Sequence, residues 1–292
     1  MEVTESSVLL LPFTASSVSV ARRNLVSDLI EAGVCASVIT DTALVISELF
    51  SNALQHGKPL PGEEIRVAWN LDADSIRVAV SDGGGPTRPE LGEPTPTTTG
   101  GRGLRIVARL SRRWGTCSGH EGTTVWAEVQ VGPLPAVAVP AAALESGLAD
   151  RLSGRSANSQ LALDAVTWFP GSRHGKVRLV ELNVSSQLHD DHTIVTIYGE
   201  IDLYTAPRLH SELADLLAEG MPARVVIDMS GVDFCDSTGM NVLLSCLRDA
   251  RERGGELEIA APQPAVRKIL QVTGLDSVFT LVEGTDPRAG TR

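Results

Sequence analysis

The sequence of 292 residues has no surplus of basic residues. Lys and Arg number 25 against 36 Asp and Glu, which gives a formal net charge of -11. Proteins that bind nucleic acid or anionic membranes nonspecifically neutralise phosphates with excess Lys and Arg. We therefore expect no direct contact with nucleic acid or a membrane surface, and proteins or small molecules as partners.

Cysteine is also scarce, and its pattern excludes two common roles. None of the four cysteines forms a CxxC pair or lies near a histidine at metal-ligand spacing. They are Cys35, Cys117, Cys235 and Cys246. The pattern predicts reduced thiols in a cytoplasmic protein.

Long apolar runs are missing as well. The longest, "PLPAVAVPAAAL", falls short of the roughly 20 residues that span a bilayer and contains three prolines. The first residues carry acidic side chains where a signal peptide has basic ones, and Pro12 ends their short apolar run. We therefore expect neither secretion nor membrane insertion.

The chain is long enough for two domains, each with its own core. Residues 132–178 are rich in Ala, Pro, Gly and Ser without a sustained period, which predicts a linker. The predicted boundaries are therefore 1–131, 132–178 and 179–292. In the last segment strand and helix signals alternate, which predicts a sheet covered by helices.

A polar stripe crosses the helix predicted for "ITDTALVISELFSNALQHG". Glu48, Asn52 and His56 stand at i, i+4 and i+8 of this otherwise apolar segment. A solvated helix face explains such a stripe. A metal–nucleotide site also explains it, because an amide oxygen can ligate Mg²⁺ while a carboxylate accepts a proton. The residues alone leave both interpretations open.

Two glycine-rich segments follow. Asp82 ends a predicted strand and precedes three glycines; its carboxylate can accept the exocyclic amine of adenine, and glycine lets backbone approach the base. The segment "TTTGGRGLRIVARL" runs from a loop into a helix, whose first N–H groups can bind phosphates. Ordinary glycine turns would look the same in isolation.

The stretch "DFCDSTGMNVLL" places Ser237 where a helix begins. Upstream, "RVVIDMS" predicts a short buried strand that ends in a turn at Gly231. One interpretation is a helix N-cap formed by Asp236 or Ser237. The other is a phosphoacceptor serine, since a helix N-terminus tolerates a phosphate although nearby acidic residues would repel it.

Together, four motifs in residues 1–131 resemble the GHKL-type (Bergerat-fold) ATPases, and specifically the bacterial anti-sigma factor serine kinases. "ELFSNALQHG" resembles their N box, and "SDGGGP", "GGRGL" and "GTTVW" resemble their glycine boxes. The resemblance implies an α/β sandwich that binds ATP and Mg²⁺, with Glu48 as general base, Asn52 as Mg²⁺ ligand and Asp82 as adenine contact. It implies further nucleotide contacts from Gly84, Gly101, Arg102, Gly103, Leu104 and Thr123. We expect no histidine kinase, because that class carries a phosphoacceptor helical hairpin before its ATPase domain and only residues 1–38 precede the N-box helix here.

Residues 179–292 resemble a STAS domain, the fold of anti-sigma factor antagonists, in "TIVTIYGEIDLYTAPRL" and "VVIDMSGVDFCDSTGMNVLL". This resemblance favours Ser237 as the phosphoacceptor, even if it also caps the helix. The expected protein has the α/β (α+β) class and is a partner-switching regulator of a bacterial sigma factor. Its kinase would phosphorylate Ser237 of its own chain or a separate STAS antagonist, with a homodimer formed through the ATPase domain.

One alternative belongs to a different class. The first domain could be a nonenzymatic ATP-binding module that sequesters a sigma factor, with the STAS domain as scaffold or sensor. Glu48 favours chemistry, because nucleotide binding alone requires no base.

Overall fold

The structure, a computed structural model, describes residues 5–86, 101–119, 122–132, 182–189, 192–218 and 224–284. Packing divides them into two units. The first contains 5–13, 25–86, 110–119 and 122–132; the second contains 14–24, 101–109, 182–189, 192–218 and 224–284. The predicted linker lies outside the described residues except for Gly132, so its boundaries remain a prediction.

An antiparallel five-stranded sheet forms the first unit, in the order β1-β2-β3-β5-β4. Side chains alternate between its faces, and those of Val67, Val78 and Val80 are fully buried on the face covered by helix α2. The strands are β1 (Glu5–Pro12), β2 (Glu64–Leu71), β3 (Ser75–Asp82), β4 (Arg113–Gly119) and β5 (Gly122–Gln130). The helices in this part of the chain are α1 (Ser16–Glu31), α2 (Ala36–His56) and α3 (Gly103–Leu110).

The second unit contains another five-stranded sheet, in the order β10-β9-β8-β7-β6. Strands β7 to β10 pair in parallel, and β6 pairs antiparallel with β7. Its strands are β6 (Asn183–Leu188), β7 (Thr193–Ile201), β8 (Arg224–Cys235), β9 (Glu256–Ala260) and β10 (Thr280–Val282). Its own helices are α4 (Ala206–Ala218), α5 (Ser237–Glu252) and α6 (Pro264–Thr273). Parallel neighbours require crossovers, which the helices provide.

The prediction of a turn at Gly231 is wrong. Strand β8 continues through this residue to Cys235, because its parallel pairing with β7 persists through two register shifts. Gly231 pairs with Tyr198, and a Cβ at this position would overlap the tyrosine ring. Glycine is therefore required here by a close side-chain approach within the sheet, and β8 leads directly to the residues before Ser237.

The mixed α/β class predicted from the sequence is confirmed, with helices and strands where the periodic segments indicated them. The segment with the polar stripe forms α2, and the predicted strand that ends at Asp82 is β3. Among the helices of the described ranges, none combines the length and apolar character that crossing a bilayer requires.

Candidate functional site: a nucleotide site and an acceptor helix

Asp82 is a buried carboxylate at the end of β3, only 4% exposed. Its Oδ1 atom accepts a hydrogen bond of 2.6 Å from the backbone N–H of Gly84. Burial raises the pKa of Asp82, and this hydrogen bond opposes the rise. Within the described ranges, Oδ2 accepts no hydrogen bond. The first unit therefore holds an acceptor oxygen available to a ligand amine.

Glycines surround this carboxylate because larger residues would displace it. A Cβ at Gly57 would lie 2.5 Å from Asp82 Cγ, and a Cβ at Gly122 would overlap the Asp82 carbonyl oxygen. Gly122 also has a φ of 131°, which L side chains rarely adopt. Gly57 directly follows α2, so the end of this helix reaches Asp82. Sequence reasoning did not single out Gly57, although it stands inside the N-box segment.

Glu48 and Asn52 lie one turn apart on α2 and therefore on one side of the helix. Glu48 is 3% exposed, so a solvated face does not explain it. Asn52 is half-buried, and its amide makes no hydrogen bond to the residues that the structure describes. With a rise of about 1.5 Å per residue, Asn52 lies roughly 7–8 Å along the helix axis from Gly57.

Thr123 lies opposite Asp82 in the pairing of β3 with β5. Its hydroxyl is 3.1 Å from the Ser118 hydroxyl, and a Cβ on Gly84 would lie 3.8 Å from it. The first unit thus brings together three predicted nucleotide contacts, Asp82, Gly84 and Thr123. The α2 helix that carries Glu48 and Asn52 ends beside them.

A cavity of about 1040 Å³ in the first unit borders the same edge of the sheet. Asp82 and Thr123 line part of it, but neither Glu48 nor Asn52 does. Its other walls include residues that point away from α2, since they alternate with the buried helix-facing ones: Leu10, Arg66, Ser81, Cys117 and Thr124. We therefore place the candidate nucleotide site on the α2 side of the sheet instead of in this cavity.

The remaining predicted nucleotide contacts belong to the second unit. Gly101 has a φ of 73°, Gly103 begins α3, and Leu104 is buried. Arg102 is 6% exposed, and its Nη1 donates a hydrogen bond of 2.6 Å to Asn241 Oδ1 on α5. Burial lowers the pKa of Arg102.

Ser237 is the first residue of α5, and Asp236 is its N-cap. Asp236 Oδ1 accepts hydrogen bonds from the N–H groups of Thr238 (2.8 Å) and Gly239 (3.2 Å). The N-cap prediction is therefore confirmed for Asp236. Ser237 is only 8% exposed, and the apolar residues Phe234 and Cys235 that precede it are buried as well.

Asp236 carries a strongly perturbed carboxyl group. Complete burial, and next the charge of Asp202, raise its pKa to about 6. The N–H groups that it caps and the charge of Arg22 oppose this rise. The start of α5 therefore holds a buried carboxyl group that is acted on by charges of both signs.

Arg22 on α1 provides the opposing positive charge. Its guanidinium contacts Glu200 (2.7 Å) and Asp202 (2.8 Å) and lies 3.9 Å from the centre of the Phe234 ring. The side chain is 2% exposed, so the ion pairs are desolvated. Sequence reasoning missed Arg22. The available signal was its helical spacing with Val18, Ala21, Leu25 and Leu29, all of which are buried.

Comparison with known proteins identifies both domain types. Residues 11–129 match the histidine kinase-like ATPase domain, and residues 183–286 match the STAS domain. The chain therefore joins an ATPase domain of the histidine kinase type, which implies ATP binding, to a STAS domain. The pairing predicted from the sequence motifs is confirmed.

Two similar proteins with curated descriptions are anti-sigma-B factor antagonists. The anti-sigma-B factor antagonist of Staphylococcus epidermidis is 29% identical over 107 residues, which cover 37% of this chain and 98% of that protein. The anti-sigma-B factor antagonist of Staphylococcus aureus is 26% identical over 107 residues, which again cover 37% of this chain and 98% of that protein.

Two solved structures are also similar. An anti-sigma factor antagonist from Mycobacterium paratuberculosis is 32% identical, with a TM-score of 0.34, and the match covers 36% of this chain and 89% of that chain. The RsbU and RsbW domains of a Mycobacterium tuberculosis protein are 25% identical, with a TM-score of 0.35, over 44% of this chain and 33% of that chain.

Proposed function

We propose that the protein is an ATP-dependent serine kinase of a partner-switching system, with Ser237 of its own STAS domain as phosphoacceptor. The proposed binding partner of the ATPase domain is a sigma factor, which the STAS domain displaces. The names of the similar anti-sigma factor antagonists support this system, and the ATPase domain supports the kinase half. A cytoplasmic location and a homodimer formed through the ATPase domain belong to the same proposal.

The packing of the second unit is the observation that carries the proposal. This unit combines the acceptor helix α5 with residues 14–24 and 101–109, which belong to the region that matches the ATPase domain. Arg102 contacts α5 through Asn241, and Arg22 contacts Asp202. A domain that serves as substrate or antagonist of an ATPase domain needs such contacts.

The proposed chemistry assigns a role to each predicted residue. Asn52 would bind Mg²⁺, and Asp82 would accept the adenine amine with its free Oδ2. The N–H groups at Gly101 and Gly103, where α3 begins, suit phosphate oxygens. In the transfer, Ser237 Oγ would form a bond to the γ-phosphorus while the bond to the leaving ADP oxygen breaks, and Glu48 would take the hydroxyl proton.

Phosphorylation would then change the affinity between the two domain types. A phosphate on Ser237 adds negative charge beside the buried Asp236 and Asp202 carboxyl groups. Like-charge repulsion would weaken the contacts of α5 within the second unit. The freed surface of the ATPase domain would then be available to the sigma factor.

Burial of Ser237 favours a second candidate function. Ser237 is 8% exposed, so its hydroxyl is poorly placed to attack the γ-phosphate of a bound nucleotide. A nonenzymatic ATP-binding module that uses its STAS domain as scaffold or sensor needs no access to this hydroxyl. Unlike that module, a kinase requires an opening at the start of α5 before transfer.

The two functions are separated by incubating the full chain with Mg-ATP and following intact mass and phosphopeptides over a dilution series. We expect one phosphate on Ser237, absent from Glu48→Gln and Ser237→Ala proteins and retained by a Thr238→Ala control. A rate independent of dilution would assign transfer to one stable assembly. Light scattering over the same series gives the oligomeric state.

Absence of phosphate on a wild-type chain that binds ATP would contradict the kinase and favour the binding module. Adding a sigma factor then tests the partner. Capture by Ser237→Asp but not by Ser237→Ala protein supports switching, whereas capture by neither variant contradicts the sigma-factor assignment.

A further inference from the structure

Arg102 and Asn241 join two segments that the sequence separates by 139 residues. The hydrogen bond of 2.6 Å connects the guanidinium to the side-chain oxygen of Asn241. Arg102 is nearly fully buried, which means that its charge has lost most of its water. A charged donor that is buried needs a well-placed acceptor, and removal of that acceptor is costly.

Asn241 occupies a position close to Ser237 in the geometry of the helix. The two residues are four positions apart on α5, so they lie on the same helix side about one turn apart. Arg102 in turn stands between Gly101 and Gly103, in the segment proposed to bind phosphates. The bond therefore connects the acceptor helix to the segment from which the phosphate would come.

We propose that Asn241 is the specificity-determining residue by which Arg102 recognises this STAS domain as its substrate. The inference rests on the proposed function, since it names what selects the acceptor at the same site. An oxygen acceptor at position 241 pairs with Arg102, whereas an apolar residue removes this one acceptor from the buried guanidinium and a cationic residue repels it. Selection against wrong STAS domains would arise from that penalty.

The test uses the full chain with three substitutions of Asn241. Asn241→Asp keeps an oxygen for Arg102, Asn241→Leu removes it at similar size, and Asn241→Lys adds a like charge. Ser245→Ala is the matched control, one turn further along α5, where the structure gives the side chain no hydrogen bond within the described ranges. Titration with a fluorescent ATP analogue checks that ATP affinity is unchanged in all four variants.

Two readouts follow: the single-turnover rate of Ser237 phosphorylation, and hydrogen exchange in a peptide covering residues 237–244 without nucleotide. We expect Asn241→Leu and Asn241→Lys to lower the rate roughly tenfold or more and to speed exchange, as loss of a charge-assisted hydrogen bond would do. Asn241→Asp and Ser245→Ala should stay within about threefold of the wild type in the rate.

The proposal is overturned if Asn241→Leu is phosphorylated at the wild-type rate. It is also overturned if the Leu and Asp substitutions lower the rate equally, because a general packing defect would then explain the loss. If the wild-type chain takes no phosphate, the proposed kinase function fails and selection of a substrate fails with it. In that case exchange that is fast in the Leu variant and slow in the Asp variant still establishes Arg102 recognition of α5 as a docking contact.

Discussion

At the scale of single residues, Arg22 shows how a charge is kept inside a protein. Burial alone would lower the pKa of Arg22. The charges of Glu200 and Asp202 and their hydrogen bonds outweigh burial, so the pKa is raised overall. The ring of Phe234 lies beside the guanidinium and gives a cation–π contact. A buried ion pair contributes little when it is compared with an apolar replacement, yet removal of one partner leaves an uncompensated charge.

Arg22→Ala should therefore destabilise the second unit by about 3–5 kcal/mol, because Glu200 and Asp202 lose their buried counter-charge. Arg23→Ala is the control: this neighbour is more exposed and its closest approach to Glu200 is 4.0 Å, so its loss should cost about 1 kcal/mol or less. Urea unfolding measures both. Equal unfolding midpoints for the two variants would show that the Arg22 pairs contribute no special stability.

The sequence singled out candidate site residues only where a motif surrounds them, and their roles stay predictions. Asp82 stands before three glycines, and in the structure its carboxylate is buried with one oxygen, Oδ1, hydrogen-bonded to the Gly84 N–H. Arg22 has no motif, and its partners Glu200 and Asp202 lie about 180 positions away. No local pattern reveals a contact over such a separation, although an arginine on the apolar side of a helix is itself a signal.

At the scale of elements, the start of α5 is fixed by close packing. A Cβ on Gly239 would lie 2.5 Å from Ile201 Cγ2 and 2.7 Å from Cys235 Sγ. Ile201 and Cys235 are both fully buried, so neither has space into which it can move. Glycine therefore lets α5 approach the ends of β7 and β8.

Gly239→Ala should destabilise the chain by about 1–3 kcal/mol through this overlap, although alanine favours helices. The shift of α5 should also speed hydrogen exchange at residues 237–243. Gly284→Ala is the control, since no atom lies within 4 Å of its hypothetical Cβ. A Gly239→Ala protein as stable as the wild type would contradict the packing argument.

Elements with strong periodicity were predictable, and short edge strands were not. Helix α2 coincides closely with the segment predicted to be helical, and α5 begins at Ser237, where the sequence predicted a helix start. Strand β4 carries no comparable pattern: only Gly115 is buried, Arg113, Ser118 and Gly119 are exposed, and the other residues are partly exposed. Strand β10 has three residues. Such strands are defined by hydrogen bonds to a neighbour, which a local pattern does not contain.

At the scale of the whole molecule, the buried carboxyl groups set how stability depends on pH. The pKa of Asp236 rises from 3.8 to about 6, so the folded chain binds this proton more readily than the unfolded chain. The contribution of Asp236 to stability is therefore full below about pH 4 and is lost as the pH rises to about 6. Glu128 acts in the opposite direction: burial favours a raised pKa, but hydrogen bonds from Arg113 and Arg77 lower it overall.

Asp236→Asn should remove the first of these two dependences, because an amide oxygen can still cap α5 but does not titrate. Between about pH 4 and pH 7, the stability of the variant relative to the wild type should rise by on the order of 1–3 kcal/mol. Urea unfolding at several pH values measures this difference. The contribution of Glu128 cancels, because both proteins contain this residue. A difference that stays constant with pH would mean that Asp236 does not titrate in this range.

The long separation between Arg22 and its partners also has a consequence in time. Arg22 leaves the ribosome 178 residues before Glu200 and 180 before Asp202. At about 5–20 residues per second, α1 waits roughly 10–40 s for the strand that covers its arginine. During synthesis the Arg22 side chain therefore has to wait for both of the carboxylates that neutralise it in the folded chain.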